Sequence, residues 1–408
     1  MVGMQLIRNM ISSRPASAAG KRSGNIGMAR LDLSTGGLAR GAALAGALLA
    51  AGALIEEAHA EPQGFLETVK KHTTLTSSVP DNGDQNPYAI VVAPVSAGKI
   101  QQDDVLIDNF NDKNNLQGLG TTIVLYRPST KKMSLFAAVP RHLPSCPGGV
   151  GLTTAMTMLK TGWVIVGSLP SNDGTTATKG DGCLIVLNPQ GEVVNTIAGP
   201  AINGPWGNMA VIDNGATATL FVSNTGFEVG APEDESPIIN KATVLRIELS
   251  IPEGKPPVVT KQTVIASGFG QQADKGVFII GPTGLALGKD GTLYVSDAIG
   301  NRVVAIADPA TRSDSAGTGR EVTKDGLLKR PLAMVMAPNG HLVVTNGLNG
   351  QAVEIDPLTG KQIYAQWIDN NRAQTPPGSG DLFGLAMTPE GKGFYYVQDD
   401  MNTVVLAH

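Results

Sequence analysis

Histidine, cysteine, aromatic side chains and charge are all scarce in this chain. Of 408 residues, five are His, two are Cys, 4% are aromatic and 16% are charged. Beyond residue 60 the histidines are His72, His142, His341 and His408. A Ser-His-Asp triad or a histidine dyad needs a positioned base, and only His142, near Cys146, falls on the face where a ligand would be met. There is no CxxC pair, HExxH motif or Gly-rich phosphate loop, so zinc-ribbon, zincin and P-loop chemistry have no residues to work with. A net charge of −4 leaves no electrostatic footprint for nucleic acid or anionic lipid. The longest apolar stretch, from Gly41 to Leu54, is shorter than the roughly 20 residues that span a bilayer.

What the chain has in quantity is turns: 50 Gly and 26 Pro against 42% hydrophobic residues, a balance that suits an all-β protein. One phrase recurs. Its cleanest copy is Gly281-Pro282-Thr283-Gly284-Leu285-Ala286-Leu287, a turn at Asp290-Gly291, then Leu293-Tyr294-Val295-Ser296-Asp297, and after a gap Arg302-Val303-Val304-Ala305-Ile306. The small residue of the first run recurs at Ala89, Ala155, Gly207, Gly284, Ala333 and Gly384. The polar residue ending the second run recurs at Asn109, Ser168, Asn224, Asp297, Asn346 and Asp399. A period of about 50 residues with four short strands per unit marks a β-propeller, here six-bladed.

The sixth repeat ends one strand short, at His408. An unpaired outer edge invites aggregation, so the segment Phe65–Ser77 is expected to supply the missing strand, pair with Thr403–Leu406 and close the ring. Residues 61–408 then form a single propeller domain, for which a monomer is the default. Residues 1–60 stand outside it. Scattered basic residues from Arg8 to Arg40, the apolar run and Ala58-His59-Ala60 read as a signal peptide cleaved after Ala60, with Met28 an alternative start. Such a leader makes the protein exported, periplasmic or secreted, with no stable membrane anchor after cleavage. In that oxidising setting Cys146 and Cys183, on loops of one face, are expected to form a disulfide.

The stretch Gly281–Ile306, and above all Val295-Ser296-Asp297 followed by Asn301-Arg302-Val303, resembles the repeat of bacterial NHL-repeat proteins. These belong to the six-bladed superfamily that includes the gluconolactonase and regucalcin-like hydrolases. The resemblance covers roughly Pro87–Leu406 and is better over the last three blades than the first three. It implies a ligand face where the innermost strands begin. The metal-dependent lactonases of that superfamily hold a cation with a first-blade carboxylate, an inner-strand Asn and an Asp ending a second strand. Asn208 matches that Asn, and Asp297 or Asp399 the Asp. The first-blade Glu is absent; Asn86-Pro87-Tyr88 stands there.

Two constellations could carry chemistry on that face. The first is the ring Asn109, Asn224, Asp297, Asn346 and Asp399, whose oxygens would suit Ca²⁺; Asn208, Asn224, Asp297 and Asp399 form the metal candidate. The same residues could instead turn back onto their own loops as Asx turns. The second is the residue before each small residue: Tyr88, Thr154, Trp206, Thr283, Leu332 and Phe383, which would line the mouth of the central channel with three aromatic rings and a leucine. Two functions remain open. One is an exported scaffold binding a small molecule or partner protein at the mouth. The alternative is a Ca²⁺-dependent lactonase or esterase-type hydrolase.

Overall fold

The computed structural model describes residues 64–230, 236–380 and 382–408. The expected leader, residues 1–60, and the acidic trio Glu233-Asp234-Glu235 lie outside that range. The described residues build an all-β fold of six antiparallel sheets, each a blade. Blade 1 is Gln85–Val92, Val105–Asn111, Thr122–Arg127 and Lys132–Ala138. Blade 2 is Leu152–Met158, Val164–Ser168, Cys183–Leu187 and Val193–Ile197. Blades 4 and 5 repeat the plan from Pro282–Leu287 to Arg320–Lys324 and from Pro331–Met336 to Gln362–Trp367.

Local chemistry explains the repetition. Each first and second strand meet at a tight turn, and at Asp290-Gly291 the glycine takes φ +82°, a left-handed conformation glycine adopts at little cost. The Asp290 carboxylate accepts from Thr292 N and Thr292 Oγ1 at 3.0 and 2.9 Å. Along each strand alternate residues then face opposite neighbours. Leu293 and Val295 pack toward blade 3, and Tyr294 toward blade 5. The result is six apolar wedges between successive blades and a seventh cluster on the axis.

The ring closes as expected. His72–Ser77 pairs antiparallel with Thr403–Ala407, from His72 opposite Ala407 to Ser77 opposite Thr403. One detail differs: Phe65–Thr68 is a single helical turn instead of strand. The buried carboxylate of Glu354 imposes this, accepting from Phe65 N and Leu66 N at 2.8 and 2.9 Å, and from Asn339 Nδ2 and His341 Nδ1 at 2.9 and 2.7 Å. Burial works to raise that carboxyl, but the four bonds outweigh it and hold Glu354 below its ordinary value. An anion at a helix start also meets the orphan N–H groups there. Phe65, Leu66 and Val69 are thereby buried in the wedge between blades 5 and 6.

Blade 3 departs from the plan. Its inner edge is split into Gly204–Pro205 and Ala210–Asp213. Its outer strand runs on from Val258 to Asp274, far longer than those of the other blades, and Phe278–Ile280 folds back on it. The loop Asp308–Gly319, which reads as a free polar loop, is tied down by buried Arg246, whose Nη1 donates to Pro309 O and Arg312 O.

Candidate functional site

The upper face is the end where inner strands begin and second strands finish. Tyr88, Trp206 and Phe383 meet there, but they do not circle an open mouth. All three are at most 1% exposed. Phe383, Tyr88 and Phe110 form a stack, with centroids 4.2 Å apart for the first pair and 4.6 Å for the second. Trp206 stands edge-on to all three, at 80–83°. Phe278, from the fold-back of blade 3, closes the cluster against Phe110 and Trp206. Stacked and edge-to-face pairs of this kind contribute about 0.5–1.5 kcal/mol each beyond area burial. The rings therefore fill the axis from its upper end. Phe110 follows the strand-ending Asn109 and was visible in that position; Phe278 lies in a hairpin that the repeat does not predict.

The polar ring is likewise built, and its side chains serve their own loops. Asn224 uses every hydrogen-bonding position it has: Oδ1 accepts from Asn203 N and Gly204 N, and Nδ2 donates to Ala201 O and Thr243 Oγ1. Asn346 Oδ1 accepts from Lys329 N, and Nδ2 donates to Leu327 O and Asn349 Oδ1. Asp297 accepts from Gly300 N at 3.0 Å and pairs with Arg302 Nε at 2.9 Å. Asp399 accepts from Asp400 N, and Asn109 Nδ2 donates to Ser78 O and Thr122 Oγ1. Ser168 bridges Gly151 N and Gly149 O. The six residues hold six loops.

Asn208 sits elsewhere. Its amide crosses the axis from blade 3, donating to Leu285 O and Met334 O and accepting from Met334 N. It borders a cavity of about 380 Å³ at the lower end of the axis, lined by inner strands of all six blades. The candidate metal set Asn208, Asn224, Asp297 and Asp399 is thus not assembled as one coordination shell. No cluster of three or more His, Cys, Asp or Glu side chains suited to a metal occurs among the described residues. A Ca²⁺ site built on these four does not fit the donor set, because both lone pairs of Asn224 Oδ1 are already taken by the N–H groups of Asn203 and Gly204.

Between the ring and the rings lies Asp108, fully buried on the second strand of blade 1. Its Oδ1 accepts from Ala89 N at 2.8 Å, and Oδ2 has no partner among the described residues. Burial pushes this carboxyl up to about 8, only partly offset by the backbone N–H groups of Ala89 and Tyr88. Sequence reading passes over it because its repeat position holds Ser223, Ser296 and Thr345 in other blades. Cys146 and Cys183 are joined by a disulfide, with Cα atoms 5.5 Å apart. His142 is exposed on the adjoining loop.

No protein-family profile and no curated protein matches the chain. Solved structures do resemble it. A gluconolactonase from Xanthomonas campestris superposes with a TM-score of 0.50 at 13% identity, over 82% of this chain and 88% of that one. A virginiamycin B lyase from Staphylococcus aureus, in complex with quinupristin, gives 0.46 at 15% identity over 82% and 84%. A PQQ-bound aldose sugar dehydrogenase from Streptomyces coelicolor gives 0.47 at 14% identity over 82% and 97%. Six antiparallel blades, five of four strands and the third of six, closed by the N-terminal strand, give this chain the six-bladed β-propeller fold of the gluconolactonase-like proteins.

Proposed function

We propose that this chain is an exported, non-catalytic propeller that binds a small ligand at the upper end of its axis. The observation that carries the reading is the division of labour on that face. The polar ring is engaged in holding loops, with Asn224 fully bonded, while the upper axis is filled by aromatic rings. Aromatic side chains suit recognition of a small apolar molecule, and the described residues bring together no carboxylate cluster of the kind a metal-dependent hydrolase needs. Rings buried this deeply suit a small molecule better than a protein surface. Export draws support from the leader pattern of residues 1–60 and from the disulfide, a bond favoured in oxidising compartments.

The test is thermal unfolding of the purified protein after EDTA treatment, with and without added Ca²⁺. A binding scaffold keeps its midpoint. A cation at a hundred times its dissociation constant would add about 2.7 kcal/mol, and a saturable rise of that size would return the hydrolase reading to first place.

A further inference from the structure

The outer strand of blade 3 does not stop at the rim. It crosses to the axis, turns after Asp274 and returns as Phe278–Ile280, with Gln272 opposite Ile280 and Asp274 opposite Phe278. Ala273, Val277, Phe278, Ile279 and Ile280 are buried against Tyr88, Phe110, Trp206 and Phe383. Phe278 reaches this position with φ +69°, an unfavourable backbone for a bulky L residue that persists only when its surroundings enforce it.

The hairpin is held unequally along its length. Its base is fixed by Gln271, which accepts from Gly226 N and donates to Phe227 O, and by Gln272, which donates to Ser236 O. Its tip is held by weaker ties: the partly exposed pair Asp274–Arg330, 2.7 Å apart, and a 3.2 Å bond from Gln117 Nε2 to Lys275 O. At the upper ends of blades 2 and 3, three buried polar atoms have no partner among the described residues: Trp206 Nε1, Thr154 Oγ1 and Thr225 Oγ1. Buried polar groups are almost always paired in native proteins, and an indole N–H can only donate.

We propose that the hairpin Gln271–Ile280 is a lid over an aromatic cage, that Phe278 is the internal stand-in for the ligand's ring, and that the ligand is a neutral aromatic molecule carrying a hydrogen-bond acceptor for Trp206 Nε1. A neutral ring is the like-for-like replacement for the Phe278 side chain that it displaces. The acceptor follows from the indole. This inference rests on the small-ligand reading above and specifies its site and ligand class.

Acetophenone, a ring with a carbonyl acceptor, and ethylbenzene, a similar ring without one, are the probes, titrated by calorimetry into the wild type, Asp274→Asn and Phe278→Ala. Loosening a partly exposed ion pair is expected to raise acetophenone affinity about threefold by populating the open lid. Removing the stand-in is expected to raise it at least about tenfold, with acetophenone about fivefold or more ahead of ethylbenzene in each protein. Equal affinity in the wild type and Asp274→Asn overturns the lid. Equal binding of both probes to Phe278→Ala overturns the role of Trp206. If Phe278→Ala takes neither probe, the lid falls together with the small-ligand reading. If it takes acetophenone selectively while Asp274→Asn changes nothing, only the lid falls.

Discussion

Blades 3 and 4 bridge to their successors through a hydroxyl; blade 1 places a carboxyl in the same seat. Ser223 Oγ accepts from Gly207 N at 3.0 Å and donates to Thr283 O of blade 4 at 2.9 Å. Ser296 Oγ accepts from Gly284 N and donates to Leu332 O of blade 5. Thr345 donates to Leu382 O. Blade 2 has Gly167 at this position, and Thr153 Oγ1 reaches Pro205 O instead. Asp108 accepts from Ala89 N as the serines do from their glycines, but a carboxylate has no proton to pass on. Only the acid form could donate, and its Oδ2 meets no acceptor among the described residues, so blade 1 buries a titratable group where blades 3, 4 and 5 place a bonded hydroxyl.

The largest expected effect comes from titrating that difference. Asp108 keeps its proton to about pH 8 in the folded protein, against an ordinary value of 3.8. Between those values the unfolded chain releases the proton and the folded one retains it. Stability from this group is therefore complete below pH 4 and is lost as pH rises toward 8, by about 1.4 kcal/mol per unit. Denaturant unfolding of the wild type and Asp108→Ser from pH 5 to 9 should show the variant gaining on the wild type by several kcal/mol. A constant difference across the range would mean that Asp108 is ionised in the fold and finds its compensation elsewhere.

The disulfide crosses part of the same region, linking the loop that enters blade 2 to the start of that blade's third strand. Cys146→Ser opens a bridge spanning 37 residues and should cost about 3 kcal/mol, measured as a lower denaturation midpoint at pH 7. If the bridge restrains the junction that Asp108 weakens, the loss should grow above pH 8, whereas independent sites would add. Ser296→Ala asks less of the fold. It leaves Gly284 N and Leu332 O without their partner and should cost about 2 kcal/mol, with no pH dependence.

How much of this was legible follows from what each feature depends on. The blades and the closing strand were, because strand alternation, Asp-Gly turns and an unfinished sixth unit are written in residue order. So was the pairing of Cys146 with Cys183, since no other cysteine competes. Three of the five axial rings were placed by register, yet as a mouth instead of a plug, because register says where a side chain starts and nothing of what lies opposite. Phe278 belongs to an insertion outside the repeat. The Asn/Asp ring was located correctly, but whether its lone pairs are free depends on loop backbones such as Asn203-Gly204, which no spacing rule supplies. The helical turn at Phe65 required a partner 289 residues away, Glu354.

The smallest effect sharpens the meaning of that ring. The strand-ending residue is Asn in blades 1, 3 and 5 and Asp in blades 4 and 6, and in each described case its side-chain oxygen accepts from backbone or pairs locally, apart from Asn109, whose Oδ1 has no partner among the described residues. If the job is to hold a loop, the two residue types should interchange. Asp297→Asn keeps the acceptor for Gly300 N and loses the pair with Arg302, whose side chain is 22% exposed. Asp297 is itself only 3% exposed, but Arg302 keeps water and Glu321 as partners, so the change should cost about 1 kcal/mol and leave the midpoint equally indifferent to Ca²⁺ and EDTA. A cation ligand would behave otherwise. Replacing a carboxylate by an amide would then remove charge from the coordination shell, and a Ca²⁺-induced rise seen in the wild type would shrink or vanish in the variant. The comparison among blades favours the first outcome, since a seat that accepts Asn and Asp alike around the ring is selected for geometry, not for charge.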